Sequence, residues 1–412
     1  MPSARRLRSS MLAAVLATVI AVSAAAAPAP SSEGASPLSR RLARALALPQ
    51  LDPTQSAALA LDLDTGTAVF RRHPGLALAP ASTEKLVVTY GALVVLGPSF
   101  RTQTAILGDG IQHGPLWRGN LVLKGHGDPT LSTGDLRTLA TRIRGMGITR
   151  ITGRVLGDES FFDARRTAPG WRPYFFLNES PPLSALTVDR ARSGGTTSLR
   201  PALGAAVLLN RALRAAGVAV DHSPALGRAP PTATPLASVP SPALWSILRF
   251  MDRESDNFTA ELLVKQLGAL YGGRGSTAAG TAVLTRILAA DGIPLDGVRI
   301  ADGSGLSRLN RMTARALVGI LEAAWASPVL RKAFVGALPV SGRSGTLRHR
   351  MRRGPARGRV FAKTGTTSEA STLSGFVSGR FAFAVLQNGH PVASWWARQA
   401  QDRFAAALAA AK

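Results

Sequence analysis

Three short runs that lie far apart in the chain must meet in space if any of them is to do chemistry: Ser82-Thr83-Glu84-Lys85, Ser255-Asp256-Asn257 and Lys363-Thr364-Gly365-Thr366. Their surroundings say which elements must carry them. Pro80 before and Gly97-Pro98 after bound an apolar-periodic stretch from Ser82 to Leu96, which predicts a helix. Positions i and i+3 share a helix face, so the Ser82 hydroxyl and the Lys85 amine meet at its start. Ser255 and Asn257 stand just before a second predicted helix. Lys363 to Thr366 lies in a predicted strand, where the glycine leaves room for a substrate backbone alongside.

The pattern points to covalent acyl transfer. A serine hydroxyl is a weak nucleophile until a neighbouring base takes its proton. A lysine is that base once burial and nearby cations lower its pKa. The helix N-terminus adds positive potential beside the developing alkoxide. Each run alone is a common coincidence, but in this order and these contexts they are what penicilloyl-serine enzymes require. Ser82 is then the nucleophile and Lys85 its base, although the base is disputed for such sites. Ser255 relays a proton to the leaving amine, tuned by Lys363. Asn257 holds the substrate amide or the Lys85 amine. Lys363, Thr364, Gly365 and Thr366 suit a substrate ending in a carboxylate, and the backbone N–H groups of Ser82 and Thr366 form an oxyanion hole.

Other chemistries are disfavoured. The 412 residues include no cysteine, which removes disulfides, thiolate metal sites and cysteine nucleophiles. The six histidines show no helical metal-ligand spacing and no HExxH, so no metal or other cofactor is expected. Arg5, Arg6 and Arg8, then an apolar run from Met11 to Val22 and small residues to Ala27, read as a secretory signal over residues 1–27. An exported protein in the periplasm or wall space is expected. A net charge of +25 then favours anionic envelope polymers or membrane surfaces over nucleic acid. The densest cluster is Arg343, Arg348, Arg350, Arg352, Arg353, Arg357 and Arg359, which reads first as a solvated loop.

Along the chain, Pro28 to Pro37 reads as a flexible leader. Ala58 to Phe70 reads as two strands around an Asp64-Thr65-Gly66 turn. From Thr104 to Pro240 short β-like runs surround one helical segment, Thr133 to Met146, and a Pro-rich stretch from Ala229 to Pro242 closes the region. This is an inserted module. Helices follow at 244–250, 257–270, 276–290 and 313–326, then strands at 360–363 and 373–387. A last helix covers about 393–411, with Trp395 and Trp396 expected to pack it on the sheet rather than touch a membrane.

Further runs carry a resemblance. Pro80-Ala81-Ser82-Thr83, Gly127-Asp128-Pro129-Thr130-Leu131, Asp302-Gly303-Ser304-Gly305-Leu306-Ser307, Leu338-Pro339-Val340-Ser341-Gly342 with Gly345-Thr346-Leu347, and Thr372-Leu373-Ser374-Gly375-Phe376-Val377 resemble signatures of the class C low-molecular-mass penicillin-binding proteins. These are D-alanyl-D-alanine carboxypeptidases that also act as endopeptidases. The resemblance covers most of residues 55–390. It implies an α/β (α+β) fold: a transpeptidase-like domain of residues 28–103 and 241–412, with an antiparallel sheet between helices, interrupted by a mainly-β module of residues 104–240. It implies peptidoglycan stem peptides as substrate and β-lactams as covalent inhibitors. It also implies a pocket for the free end of the stem-peptide diamino acid, matched here by Asp158 for an amine, Phe162, and Arg308 for a carboxylate, with Thr367 and Ser368 bordering it. The other reading of Asp158, with the lesser weight, is a turn residue after Gly157. The interval from Ser82 to Ser255 is shorter than in the best-known relatives, which implies that a third, nested domain is reduced or absent.

Two other functions share the triad. A β-lactamase would need a group that activates water for fast deacylation, and no Glu-containing loop suggests one. A catalytically silent penicillin-binding sensor or wall-binding module would not need the whole set of Ser82, Lys85, Ser255, Asn257 and Lys363.

Overall fold

Segments from the two ends of the chain close one sheet. The computed structural model describes residues 36–193 and 195–411, so the expected signal and nearly all of the leader lie outside the described residues. The leader's last residue, Pro37, opens helix α1 (Pro37–Leu46). Strands β1 (Ser56–Asp62) and β2 (Thr67–Arg72) follow, then a 3₁₀ turn (Ala81–Glu84) that runs into α2 (Lys85–Leu96).

The chain then leaves for a second sheet. This comprises β3 (Gln103–His113), β4 (Leu116–Lys124), α3 (Thr133–Gly145), β5 (Arg150–Ile151), β6 (Val155–Asp158), α4 (Pro201–Ala215), β7 (Ala219–Val220), β8 (Ala225–Leu226) and β9 (Thr234–Pro240). The strand order is β8-β6-β4-β3-β9, with β5 beside β4 and β7 beside β5. The module is thus more helical than expected. Helix α4, with Pro201 at its first turn, packs an Ala/Leu face with α3 on this sheet. The Pro-rich closing stretch contains a strand. Its prolines are tolerated because β9 is an edge, and its register slips between Pro235 and Ala237.

The return path is helical: α5 (Leu244–Glu254), α6 (Asn257–Tyr271), α7 (Thr277–Ala290), α8 (Ala314–Ala326) and α9 (Pro328–Ala337). Strands β10 (Val360–Thr366), β11 (Ala370–Val377) and β12 (Phe381–Asn388) then complete an antiparallel sheet, β10-β11-β12-β1-β2, and α10 (Ser394–Ala409) ends the fold. Every residue of β1 and β11 is buried, because helices cover both faces. One face carries α1 and α10 through Leu42, Leu46, Phe404 and Leu408. The other carries the bundle around α2 and α6. All residues of α6 from Phe258 to Gly268 are buried, which makes it the central helix of the bundle.

Trp395 behaves differently from expectation. Ala397, Ala400, Phe404 and Leu408 face the sheet, whereas Trp395 is 61% exposed, its ring edge-on to Trp396.

Candidate active site

The nucleophile turn is held from three directions. Ala81 adopts a left-handed φ of 46°, which sets the entry of the 3₁₀ turn carrying Ser82. The Pro80 carbonyl accepts from Thr83 Oγ1 at 2.7 Å and from Thr372 Oγ1 of β11 at 2.8 Å. Two glycines let other segments approach. A Cβ on Gly305 would lie 1.9 Å from the Ala81 carbonyl oxygen, and one on Gly365 would lie 2.7 Å from the Pro80 oxygen and 3.0 Å from the Ser82 nitrogen. The space beside Gly365 is therefore filled by the nucleophile turn and Thr372, not left open for substrate as the sequence suggested.

Two buried lysines each hold one serine of the site. Lys85 is fully buried, and its Nζ donates to Ser82 Oγ at 3.1 Å, Asn257 Oδ1 at 2.8 Å and the Ser304 carbonyl at 2.6 Å. These account for all three donors of an ammonium. Burial pulls the Lys85 amine down to about 8, although Asp302 and other carboxylates oppose the shift. Lys363, also fully buried, donates to Ser255 Oγ at 2.9 Å and to the Thr364 carbonyl. Burial, then the charge of Lys85, lower it as well.

Ser255 caps the end of α5 in the left-handed region, with φ 57°, and Asp256 caps the start of α6 by accepting from the Thr259 amide. The middle residue of this run is thus structural. A two-pronged pair with Arg190 holds the Asp256 carboxyl below its usual value, against burial, which pushes it up. Asn257 Nδ2 donates to the Glu179 carbonyl, so the segment between β6 and α4 reaches the site.

Sequence reasoning missed the acids behind the lysines. Asp302 organises the Asp302–Ser307 turn by accepting from Gly305 N, Ser307 N, Asn310 Nδ2 and Trp171 Nε1. Glu261 of α6 accepts from the Gly303 and Ser304 amides, and burial pushes it up to about 8. Glu84 is fully buried with no hydrogen-bond partner for either carboxyl oxygen, and burial, then Asp302 and Glu261, push it well above the usual range. Asp252 lies buried near both lysines and accepts from Thr89 Oγ1 at 2.7 Å. No motif marks any of these four except Asp302, whose run is distinctive.

The residues expected to bind the diamino acid do not come together. Asp158 is fully buried and accepts from the Ser160 and Ala229 amides, which makes it the turn residue of the other reading. Phe162 is packed with Leu183, Phe258 and Leu262. Both line one recess, and Arg308 lines another. The Arg308 recess, about 190 Å³, opens beside Ala81, Gly305 and Thr366 and contains Arg172, Tyr174 and Glu369. Glu369 pairs with Arg172 at 2.6 Å and with Arg308 at 3.3 Å. Thr364 points instead towards Thr346, at 2.8 Å. Among the described residues no group of three or more histidine or acidic side chains is arranged to hold a metal.

A buried serine–lysine pair with a second lysine–serine pair across it, between an antiparallel sheet and a helical bundle, defines a serine acyltransferase or hydrolase of the penicillin-binding class. The chain belongs to the D-Ala-D-Ala carboxypeptidase 3 (S13) family, whose model matches residues 38–204 and 190–410. It is 32% identical to a D-alanyl-D-alanine carboxypeptidase of Actinomadura sp. (strain R39), over 83% of this chain and 79% of that one. It is also 32% identical to a carboxypeptidase of Mycolicibacterium smegmatis, over 90% of this chain and 85% of that one. Among solved structures it resembles penicillin-binding protein 4 of Haemophilus influenzae, with a TM-score of 0.77 and 23% identity, covering 89% of this chain and 98% of that one. The protein is a serine-type D-Ala-D-Ala carboxypeptidase, and its fold is that of the penicillin-binding proteins.

Proposed function

We propose that Ser82 Oγ attacks the carbonyl carbon between the two terminal D-alanines of a peptidoglycan stem peptide while its proton passes to Lys85 Nζ. The observation that carries this is the 3.1 Å contact between the two, with Lys85 buried and its pKa drawn down to about 8. The amide N–H groups of Ser82 and Thr366 receive the oxyanion. The C–N bond breaks as the leaving nitrogen takes a proton through Ser255, whose hydroxyl rests on Lys363. Lys363, Thr364 and Thr366 hold the terminal carboxylate, and Gly365 brings their strand against the nucleophile. Water then cleaves the Ser82 ester. A β-lactam carbonyl meets the same nucleophile and stays as the acyl group.

We assign the diamino-acid end of the stem to the recess of Arg308, Arg172, Glu369 and Tyr174, bordered by Thr367 and Ser368, in place of Asp158 and Phe162. Its support is adjacency to Ala81 and Thr366 together with charges of both signs, which suit a group bearing an amine and a carboxylate. Such a substrate lies outside the cytoplasm, in keeping with the signal features of residues 1–27, and we place the mature enzyme in the periplasm or wall space. The same residues serve the terminal D-Ala-D-Ala bond and a D-Ala–diamino acid cross-link.

The test is incubation with purified muropeptides, products being identified by mass, alongside labelling by a fluorescent penicillin. The wild type should release D-alanine and take the label at Ser82, and Ser82→Ala should do neither. Labelling that persists in Ser82→Ala, or no release of D-alanine by a labelled wild type, overturns the assignment.

A further inference from the structure

The chemistry described above does not use the most strongly charged surface of the molecule. No aspartate or glutamate occurs between Glu322 and Glu369. Within that span, Arg343, Arg348, Arg352, Arg353, Arg357 and Arg359 are exposed, and none pairs with a carboxylate among the described residues. A loop rich in arginine normally balances some of its charge internally. Here only Arg350 does so, through Asp402 of α10 at 2.7 Å.

The loop is built rather than slack. Its turn at Gly342 has a left-handed φ of 64°, Ala356 and Leu347 are buried beneath it, and Ser341 Oγ donates to the Ala356 carbonyl at 2.5 Å. The result is an open recess of about 670 Å³ with Arg352, Arg353 and Arg357 around it and Met351 in its wall. Three guanidinium groups with no carboxylate partner around an open recess suit a phosphate group, which they can bind in two-pronged fashion.

The pair that fixes Arg350 also says what lies beside the loop. Arg350 reaches Asp402 and the Arg398 carbonyl of α10. On a helix, positions 395, 398 and 402 form one stripe, with 395 and 402 separated by about 20° around the axis and ~10 Å along it. The exposed indole of Trp395 therefore stands on the same side of α10 as the arginine loop. A soluble polyanion has no use for an exposed indole. Arginine beside tryptophan is what a protein lying on an anionic bilayer presents, the ring settling at the headgroup level and the arginines on phosphates.

We propose that this face, the arginine loop with Trp395, docks the enzyme peripherally on a membrane surface rich in anionic phospholipid. The opposite end of the loop forms a rim of the catalytic cleft, since Thr346 Oγ1 bonds Thr364 Oγ1 and Gly345 packs on the Arg253 backbone. Docking sets the cleft close to the leaflet. No helix among the described residues is long and apolar enough to cross a membrane, so this attachment is reversible and weakens with salt.

The test is co-sedimentation of the full chain, after removal of any signal, with vesicles of phosphatidylcholine alone or mixed with phosphatidylglycerol. Binding is expected only to the mixed vesicles, and to fall as salt rises. Arg352→Ser/Arg353→Ser/Arg357→Ser should weaken it by about a hundredfold. Trp395→Ala should weaken vesicle binding but leave binding to soluble polyphosphate unchanged. Penicillin labelling at the wild-type rate shows that both variants are folded. No binding to mixed vesicles, equal binding to both kinds, or a triple variant that binds like the wild type overturns the proposal. Binding of soluble polyphosphate as tight as that of mixed vesicles, with no effect of Trp395→Ala on either, overturns it in favour of a phosphodiester wall polymer.

Discussion

Lys85 Nζ donates to the carbonyl oxygen of Ser304 at 2.6 Å, closer than to Ser82 Oγ at 3.1 Å. The base is thus positioned by the Asp302–Ser307 turn, which rests on the buried acids Asp302 and Glu261, and by Asn257, which is held by the Glu179 carbonyl. A lysine has four rotatable carbons, and its reach to the serine is set by whatever holds its amine. Removing the Asn257 acceptor leaves one N–H without a partner and frees the amine to swing. Asn257→Ala should slow acylation by a fluorescent penicillin on the order of a hundredfold, the scale of a misplacement near 1 Å. Thermal stability should change far less, because the backbone anchor at Ser304 remains. A labelling rate equal to that of the wild type would show that Asn257 does not position the base.

That dependence also marks what could be read without coordinates. Ser82, Lys85, Ser255, Asn257 and Lys363 were legible because covalent chemistry requires those residue types, and each run is a contiguous turn or strand with a fixed internal spacing. Glu84 and Glu261 were not. In sequence a buried carboxyl looks like any acid of a helix surface, and only burial of α6 from Phe258 to Gly268 gives Glu261 its role. Asp158 is the opposite case, a residue with a motif match and a structural role. Its place beside Phe162 fitted a binding pair, and both border one recess, but Asp158 is held by the Ser160 and Ala229 amides and Arg308 lines a separate recess. The strand at Thr234–Pro240 was hidden by prolines that only an edge position tolerates. The helix at Pro201–Ala215 was hidden in a region otherwise rich in short strands.

Acylation should depend on pH in a bell. Lys85 accepts a proton only when neutral. Burial places it near 8, so the neutral fraction of Lys85 grows with pH up to about that value. Lys363 holds a carboxylate only when charged, and burial, then the neighbouring Lys85, lower its pKa to about 7, so its charge is lost over the range in which Lys85 becomes neutral and the maximum lies between the two values. Its loss of charge gives the falling limb. The two amines interact, so the limbs belong to the pair. Rates of D-alanine release from about pH 6 into the alkaline range test this. A rate that does not rise between about pH 6 and 7 would exclude a neutral lysine as base.

Gly365 should not tolerate even alanine. A Cβ there would stand 2.1 Å from Thr372 Oγ1 and 2.7 Å from the Pro80 oxygen. Neither the backbone oxygen nor the buried threonine can move without displacing Ser82. Gly365→Ala should abolish penicillin labelling and cost about 1–3 kcal/mol, the usual range for overpacking. Thr372→Ala in the same background removes the nearer clash but not the one with Pro80, so labelling should recover only in part. Full labelling of Gly365→Ala would mean that the strand and the nucleophile turn are not locked together.

Glu84 stands immediately before Lys85, yet its carboxyl is turned into the protein, where neither oxygen has a partner and one oxygen of Glu261 lacks one too. An ionised carboxylate there is costly, and burial together with Asp302 and Glu261 keeps Glu84 protonated. In the unfolded chain the same group ionises from its ordinary value of 4.5. As pH rises above that value the unfolded state gains stability that the folded state does not share. Net stability therefore falls until the folded carboxyl ionises as well; Glu261, raised to about 8, adds to the same slope. Glutamine has the shape of the protonated acid and no charge to lose. Glu84→Gln should unfold at a higher temperature than the wild type above pH 4.5, with the gap widening towards pH 8. It should also keep a substantial acylation rate, since a neutral group already stands at this position when Lys85 works. A gap that stays constant or narrows across that range would mean that Glu84 is ionised in the folded enzyme, and Lys85 would then have a permanent anion beside it opposing its loss of a proton.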